Sequence, residues 1–383
     1  MKIETITIRE LRMRLKAPYE TSAGTEWDRR VLLVQITSEG LCGWGEVTVD
    51  QTPSFTSETT DTAWHILSDF LVPMVLGKTV SGGRETGRLM ESVRGHEMAR
   101  GALENAVWDI EAQRNGFPLG VQLGGTLEEI PCGVALGIQR NLDTLLNKIS
   151  DEVEAGYQRI KLKIKPGHDV EIVRQVRREF PDTNLMVDGN SSYRLTDAAV
   201  FQQLDDFELM MFEQPLWWDG ILDHAKLQAQ LRTPICLDES VRNVHLAREA
   251  IELKACRILN IKLGRVGGHS AAREIHNLCV ESGIPAWCGG MLESGIGRAH
   301  NVAMSTLPGF VLPGDVSASQ RYWNEDIIVP EVEVTSNGTI NVPKSAGLGY
   351  IVRQELVEKL TVRQRTWKIT SQVAVAGLGQ VGD

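Results

Sequence analysis

The fold is decided by five short apolar runs that each carry a charged side chain near their end, namely RIKLKIK (159–165), NLMVDGN (184–190), LMMFEQP (209–215), PICLDES (234–240) and RILNIKLG (257–264). The charged residues recur at an almost constant interval: Asp188 follows Lys163 by 25 residues, Glu213 follows Asp188 by 25, Asp238 follows Glu213 by 25, and Lys262 follows Asp238 by 24. Such an interval accommodates one strand, one crossover helix and two loops. The pattern therefore predicts parallel strands that each present a polar residue at the carboxyl end.

The same strand and helix rhythm extends on both sides of this stretch. It predicts eight strands, at 131–136, 159–164, 184–188, 209–213, 235–238, 257–262, 285–288 and 310–313. Eight units of about 25 residues need about 200 residues. We therefore predict an α/β protein in which residues 129–330 form a (β/α) TIM-like barrel that acts as the catalytic domain.

The residues before this barrel have a different organisation. Alternating segments at 3–11, 29–40 and 43–49 predict an antiparallel meander, and periodic segments at 56–76, 83–93 and 98–114 predict helices. Between the first two strands, the polar stretch 17–30 is predicted to be a loop that closes over the substrate. Residues 1–128 are thus predicted to form an α+β capping domain.

The carboxyl-terminal residues 331–383 are expected to return to the capping domain, through strand-like segments at 327–334 and 339–342. Near the end, GLGQVG (377–382) matches the dinucleotide-binding pattern GxGxxG. That pattern binds a pyrophosphate only when a helix follows it, and one residue follows it here. A frayed tail is the better interpretation.

Composition limits the partners. The formal net charge is −10 and 42% of the residues are hydrophobic, which favours an acidic globular enzyme over a nucleic-acid-binding protein. No run reaches the ~18 apolar residues of a membrane span, and the amino terminus lacks the features of a signal peptide. We therefore expect a cytoplasmic protein, forming a homo-oligomer and acting on a small-molecule carboxylate, with no membrane partner.

Lys161 and Lys163 lie on the same face of their predicted strand. On an isolated strand, this pattern is more often a solvated surface. In a barrel both faces are covered, so that an inward lysine needs a partner or a task. Two neighbouring ammonium groups near a cation also disfavour each other's charge, which predicts a lowered pKa and a role in proton transfer. Lys163, nearer the carboxyl end, is the predicted base.

The carboxylates Asp188, Glu213 and Asp238 are predicted to converge at the barrel mouth. Ionised carboxylates in a site of low dielectric require a compensating cation. Oxygen ligands without His or Cys favour Mg²⁺, with Mn²⁺ as a substitute. The alternative interpretation is a set of unrelated helix-capping acids. Three further residues near the same rim are candidates for orienting ligands or substrate: Asn190, Glu239 and Asp315.

The motifs KLK, VDGN, FEQPL, LDES and NIKLGRVGG resemble those of the enolase superfamily, muconate-lactonizing subgroup. Within it, residues 283–319 are similar to the family of o-succinylbenzoate synthases and N-acylamino acid racemases. The resemblance implies a capped barrel, Mg²⁺ held by Asp188, Glu213 and Asp238, and catalytic lysines Lys163 and Lys262 on opposite faces of the substrate.

The resemblance also implies a reaction. Removal of a proton next to a carboxylate would give an enediolate, which would lead either to the dehydration that forms o-succinylbenzoate in menaquinone biosynthesis or to racemisation of N-succinyl and N-acyl amino acids. The first is the expected main activity. A dedicated N-acylamino acid racemase, a dipeptide epimerase and a lactone-forming enzyme remain alternatives.

Overall fold

Three long antiparallel strands open the chain in the computed structural model, which describes residues 1–21 and 24–369. They are β1 (Thr5–Thr21), β2 (Gly24–Ser38) and β3 (Leu41–Val47), paired in chain order. Alternation buries Ile6 and Ile8 on one face of β1. The predicted meander is therefore present, and its apolar face is covered by helices.

The helices of this lobe follow directly, with these bounds: α1 (Thr60–Ile66), a π-helical turn (Leu67–Leu71), α2 (Val72–Val75), α3 (Gly83–Leu89), α4 (Glu97–Asn115) and α5 (Leu119–Gln122). The first begins four residues later than predicted, because the Thr59 hydroxyl accepts a hydrogen bond from Thr62 N at 3.2 Å and caps it. Helix α4 packs so closely on β3 that a Cβ atom at Gly43 or Gly45 would overlap the helix backbone. No helix in the described ranges has the length and hydrophobicity needed to cross a bilayer.

The predicted loop at 17–30 is wrong for the described residues, because β1 and β2 continue through it as a hairpin. Tyr19 pairs with Glu26 and Glu20 with Thr25, after a register shift that follows Arg14. Backbone pairing satisfies the polar groups of this arm, so its polar composition does not require irregular structure. Its end reaches the barrel, where Ile138 N donates to Glu20 O at 3.1 Å.

The second domain contains a parallel sheet, as predicted. Its described strands, preceded by a short β4 (Glu129–Pro131), are β5 (Gly133–Leu136), β6 (Arg159–Lys163), β7 (Leu185–Asp188), β8 (Phe212–Glu213), β9 (Ile235–Leu237), β10 (Ile258–Ile261) and β11 (Ala286–Cys288), hydrogen-bonded in chain order. All of their residues are buried, since helices cover the outer face and side chains fill the interior. Between and after the strands lie α6 (Leu142–Glu154), α7 (Val170–Glu179), α8 (Ala198–Leu204), α9 (Ile221–Gln228), α10 (Val244–Glu252), α11 (Leu263–Val266), α12 (His269–Glu281) and α13 (Gly295–Met304).

The eighth predicted strand, at 310–313, does not form. Phe310 makes one bridge to Ala286, and the segment then closes the ring through Gly314, whose carbonyl accepts from Gly133 N at 2.7 Å. Pro313 lacks the N–H that a strand ladder needs, which explains the interruption. The segment nevertheless holds Asp315 at the rim, since Asp315 N donates to Cys288 O at 2.9 Å.

The chain end follows a different path from the one predicted. Its elements are β12 (Ile328–Val329), β13 (Thr339–Asn341), β14 (Ile351–Val352), α14 (Gln354–Leu360) and β15 (Thr361–Lys368). The strand-like segments do not dock on the amino-terminal lobe, because β12 pairs with β14 and β13 pairs with β4. The return to that lobe is made by β15, which pairs with β1. GLGQVG (377–382) lies outside the described residues.

Buried carboxylates of the capping lobe join it to the barrel by capping barrel helices. Glu46 of β3 accepts hydrogen bonds from Ser294 N at 3.1 Å and Gly297 N at 2.9 Å, at the start of α13. Glu104 of α4 accepts from Ser270 N at 3.3 Å, at the start of α12. Carboxyl groups stabilise helix amino termini. Burial raises the pKa of Glu46 and of Glu104 to about 7, although these hydrogen bonds act to lower it.

Two buried histidines continue this interface. His300 Nε2 lies 2.7 Å from Trp44 O, and His300 Nδ1 lies 2.9 Å from His269 Nε2. Because the carbonyl can only accept, His300 donates from Nε2 and accepts at Nδ1 as a neutral ring. Burial lowers the pKa of His300 to about 4 and that of His269 well below its usual value.

We predict that this pair makes the fold sensitive to acid. The folded-state pKa of His300 lies below the unfolded value of about 6.5, so its contribution to stability is present above that pH and is lost as the pH falls toward about 4. Between about pH 6.5 and pH 4, the free energy of unfolding of His300→Gln should fall by roughly 3 kcal/mol less than that of the wild-type protein. Urea denaturation of both proteins across this range measures the difference. The buried acids contribute equally to the pH dependence of the two proteins. If their curves of unfolding free energy against pH are parallel, His300 is not a source of the acid sensitivity.

Candidate active site

The charged residues of the repeating pattern lie side by side along one rim of the barrel. Lys163, Asp188 and Glu213 are the last residues of β6, β7 and β8. Asp238 directly follows β9, and Lys262 directly follows β10. The backbone register pairs Lys163 with Asp188 and Asp188 with Glu213. We call this set, Lys163, Asp188, Glu213, Asp238 and Lys262, the rim row.

The two lysines stand at opposite ends of the rim row. Lys163 Nζ lies 2.6 Å from Asp188 Oδ2, and Lys262 Nζ lies 2.8 Å from Asp238 Oδ2. Both ammonium groups line one cavity of about 190 Å³ above the row. A substrate held over the carboxylates would therefore have an amine on each side.

Lys161 lies one layer deeper on β6, among three carboxylates. Its Nζ is 2.9 Å from Glu213 Oε2 and 3.5 Å from Asp188 Oδ2, and it also contacts Asp315. Burial alone would lower the pKa of Lys161, but the charges of Asp315 and Glu213 outweigh it and raise the pKa well above its usual value. This direction differs from the lowering expected beside a second ammonium and a cation, because three carboxylates lie within 4 Å of the Lys161 ammonium.

The carboxylates of the rim row differ in their electrostatic environments. Burial would raise the pKa of Asp188, but Lys163 and Lys161 lower it to about 2. Burial and the charge of Asp188 raise the pKa of Glu213 to about 7. Burial and then Asp238 raise the pKa of the adjacent Glu239 to about 8. Negative charge is crowded here and would be stabilised by an added cation.

The donor set is compatible with a hard divalent cation. Asp188, Glu213 and Asp238 are almost completely buried, and they offer only carboxylate oxygens. In the described ranges, no three His, Cys, Asp or Glu side chains are arranged as a metal site, since these oxygens face ammonium and amide groups. A bound cation would share the carboxylates with the lysines. The residues thus fit the predicted metal in kind.

The three further candidates lie beside the rim row. Asn190 N donates to Asp188 Oδ1 at 2.8 Å, and Asn190 Nδ2 donates to Glu239 Oε1 at 3.2 Å, which links two neighbouring loops. Asp315 contacts Lys161 and Arg159.

Two inner residues were not predicted from the sequence. Asn260 donates to Glu213 Oε1 at 2.7 Å, and Arg159 is fully buried beneath Asp315. Asn260 lies two positions before Lys262 and Arg159 two positions before Lys161, so the period of two along a strand would have found them.

The hairpin of β1 and β2 forms the roof of the cavity. Tyr19, Glu26 and Arg29 line it together with the lysines. The Arg29 guanidinium pairs with Asp50 and with Glu26, and it donates to Met291 O of the barrel at 3.0 Å. One side chain therefore connects the hairpin, the loop after β3 and a barrel loop. Such a roof can exclude water from the site.

A capped parallel barrel with lysines at both ends of a row of three carboxylates defines an enolase-type architecture. The chain belongs to the enolase superfamily: residues 145–356 match the family described as enolase C-terminal domain-like, and residues 2–125 match the mandelate racemase / muconate lactonizing enzyme amino-terminal domain. Enzymes of this type depend on a divalent metal ion.

Relatives cover nearly the whole chain. An o-succinylbenzoate synthase from Geobacillus kaustophilus is 52% identical over 94% of this chain and 96% of its own length. An N-succinylamino acid racemase from Thermus thermophilus is 43% identical over 95% and 98%. The crystal structure of an enolase superfamily member from Listeria innocua has a TM-score of 0.93 and 38% identity, covering 96% of this chain and 99% of that chain. The predicted family and fold class are confirmed.

We predict that Arg29→Ala opens the roof of the cavity. The substitution removes the contacts that connect the hairpin to Asp50 and Met291, so that kcat/KM should fall by roughly tenfold or more with little change in fold. Steady-state kinetics and circular dichroism measure the two effects. Arg30→Ala is the matched control, because Arg30 pairs with Glu10 and Asp61 and does not line the cavity. Equal kinetic losses in both variants would contradict this role of Arg29.

Proposed function

We propose that this protein is a lyase, a divalent-metal-dependent o-succinylbenzoate synthase, and that the same site racemises N-succinyl or N-acyl amino acids. The observation that carries the proposal is the rim row, in which two lysines flank three buried carboxylates. The names of the relatives from Geobacillus kaustophilus and Thermus thermophilus support both activities.

The dehydration requires removal of a weakly acidic proton next to a carboxylate. Lys163 takes this proton through Nζ and returns a proton to the departing hydroxyl on the same face, so that water leaves. Lys262 stays cationic on the other side and stabilises the developing enediolate charge. Mg²⁺, or Mn²⁺ in its place, would be held by Asp188, Glu213 and Asp238 and would supply further stabilisation of that charge. Lys161 keeps Glu213 and Asp315 in position from below.

Racemisation uses the same groups in a different way. One lysine removes the α proton from its face, and the other lysine donates a proton to the opposite face. The placement of Lys163 and Lys262 at the two ends of the rim row is suited to this division of roles. The two reactions therefore share the site and differ in whether Lys262 transfers a proton.

Two alternatives are a dedicated N-acylamino acid racemase and a dipeptide epimerase. An L-Ala-D/L-Glu epimerase from Bacillus subtilis is only 26% identical, which gives the epimerase less support. The deciding experiment is a side-by-side assay of the purified protein with the cyclohexadiene precursor of o-succinylbenzoate, with both enantiomers of N-succinyl amino acids, and with a dipeptide. Turnover of the dipeptide alone would overturn the proposal.

We predict that activity requires a divalent cation. Chelation should abolish turnover, because it removes the cation whose positive charge would stabilise the enediolate. Addition of Mg²⁺ or Mn²⁺ should restore turnover. Activity after chelation, with the metal content measured by atomic emission, is the readout. Undiminished turnover in metal-free protein would exclude Asp188, Glu213 and Asp238 as ligands of an essential metal.

We predict that the two lysines serve opposite enantiomers. Lys163→Ala and Lys262→Ala should both abolish racemisation, but each variant should still exchange the α proton of one enantiomer with solvent deuterium, since the remaining lysine can remove and return a proton on its own face. Proton NMR of each N-succinyl enantiomer in deuterium oxide measures this exchange.

The two variants should retain exchange with different enantiomers. In the dehydration, both should lose several kcal/mol of transition-state stabilisation, because one lacks the base and the other lacks the stabilising charge. Retention of exchange with the same enantiomer in both variants would place the two amines on one face and require a different base.

A further inference from the structure

One cation of the active-site cavity has no acidic partner among the described residues. The cationic side chains that line this cavity are Arg29, Lys161, Lys163, Lys262 and Arg298. The first four form ion pairs with carboxylates. Within the described ranges, no carboxylate lies within ion-pair distance of Arg298.

Arg298 is held by neutral groups instead. It lies on α13 and is 2% exposed. One terminal nitrogen donates to Ser317 O at 2.7 Å and the other to Glu293 O at 2.9 Å, and the guanidinium lies 5.1 Å from the ring centre of Tyr322. These contacts orient the planar group without neutralising its charge. A buried charge that lacks a counter-ion is costly, so the site favours an anion in the cavity.

The acidic residues that share the cavity are engaged elsewhere. Glu293 Oε1 accepts hydrogen bonds from Met291 N and Asn301 Nδ2, at 2.8 and 2.9 Å. Glu26 pairs with Arg29, and Asp315 pairs with Lys161. Among the described residues, Arg298 is therefore the cation of this cavity that has no ion-pair partner, and it lies on the barrel wall formed by α13.

We propose that Arg298 binds the second carboxylate of a dicarboxylate substrate, the terminal carboxylate of a succinyl group, while the first carboxylate lies over the rim row. This inference rests on the proposed function and specifies its substrate class. Each terminal nitrogen of the guanidinium has a second N–H besides the one that a backbone carbonyl accepts, so that a contact with a carboxylate can be directional as well as electrostatic. Arg298 is thus a specificity residue that separates succinyl compounds from uncharged acyl compounds of the same length.

The test compares two substrates that differ only in this carboxylate, an N-succinyl and an N-butanoyl derivative of one amino acid. The measured quantity is the ratio of their kcat/KM values. Arg298→Gln should lower this ratio roughly ten- to hundredfold, because a charged hydrogen bond is lost only with the succinyl substrate. Arg298→Lys keeps the positive charge but lacks the planar set of guanidinium donors, and it should lower the ratio less.

Arg321→Gln is the matched control. Arg321 lies on the same Tyr322 ring, 5.9 Å from its centre, but it is paired with Glu152 and does not line the cavity. This variant should leave the ratio unchanged. An equal loss of both substrates in Arg298→Gln would overturn the proposal, since Arg298 would then only hold the two carbonyls.

A binding measurement separates this inference from the proposed function. Calorimetry with o-succinylbenzoate and with 2-butanoylbenzoate, which lacks the terminal carboxylate, needs no turnover. Wild-type protein should prefer o-succinylbenzoate, and Arg298→Lys, the milder substitution, should reduce that preference. If the wild-type protein has no turnover but still prefers o-succinylbenzoate, only the proposed function is refuted. Equal binding of both compounds by the wild-type protein would refute the role of Arg298.

Discussion

The structure depends on the burial of several carboxylates at one end of a parallel barrel. Asp188, Glu213 and Asp238 are nearly inaccessible to solvent, and isolated charges in such an environment would be strongly destabilising. Lysines reach them from the same row and from the layer below, at 2.6 to 2.9 Å. Two of the cations that stabilise these carboxylates, Lys163 and Lys262, are also the groups proposed to move protons. Stability and chemistry therefore rest on one set of contacts.

This constraint also explains the capping domain. Charge pairs in the cavity are effective only where water is excluded. The hairpin covers the cavity, and Glu46 and Glu104 attach the lobe to barrel helices through their amino termini. The carboxylates that join the domains thus use backbone donors as partners, whereas those of the rim row use ammonium groups. The first kind fixes the domains together, and the second leaves oxygens that a substrate or metal can share.

Much of this architecture was predictable, because a strand, a helix and two loops have a nearly constant length. The 25-residue interval predicted the rim row, since parallel strands end at the same edge. The eighth strand was predicted wrongly because proline in 310–313 prevents a ladder that its apolar residues otherwise favour. The hairpin at 17–30 was predicted as a loop because polar composition does not distinguish irregular chain from a paired arm. The raised pKa of Lys161 depends on Asp315, which is distant in sequence and is placed by the closing segment.

The distribution of charge around the cavity separates the chemistry from the choice of substrate. The rim row comes from consecutive barrel strands, and its members depend on one another, so a change in one alters the others. Arg298 lies on α13, and its hydrogen bonds and ring contact within the described part of the chain are with backbone carbonyls and an aromatic ring. A substitution there can alter which acyl group is accepted without removing a partner of the rim row. Dehydration and racemisation can thus share one set of reacting groups, because the succinyl group recognised at the wall is common to both kinds of substrate.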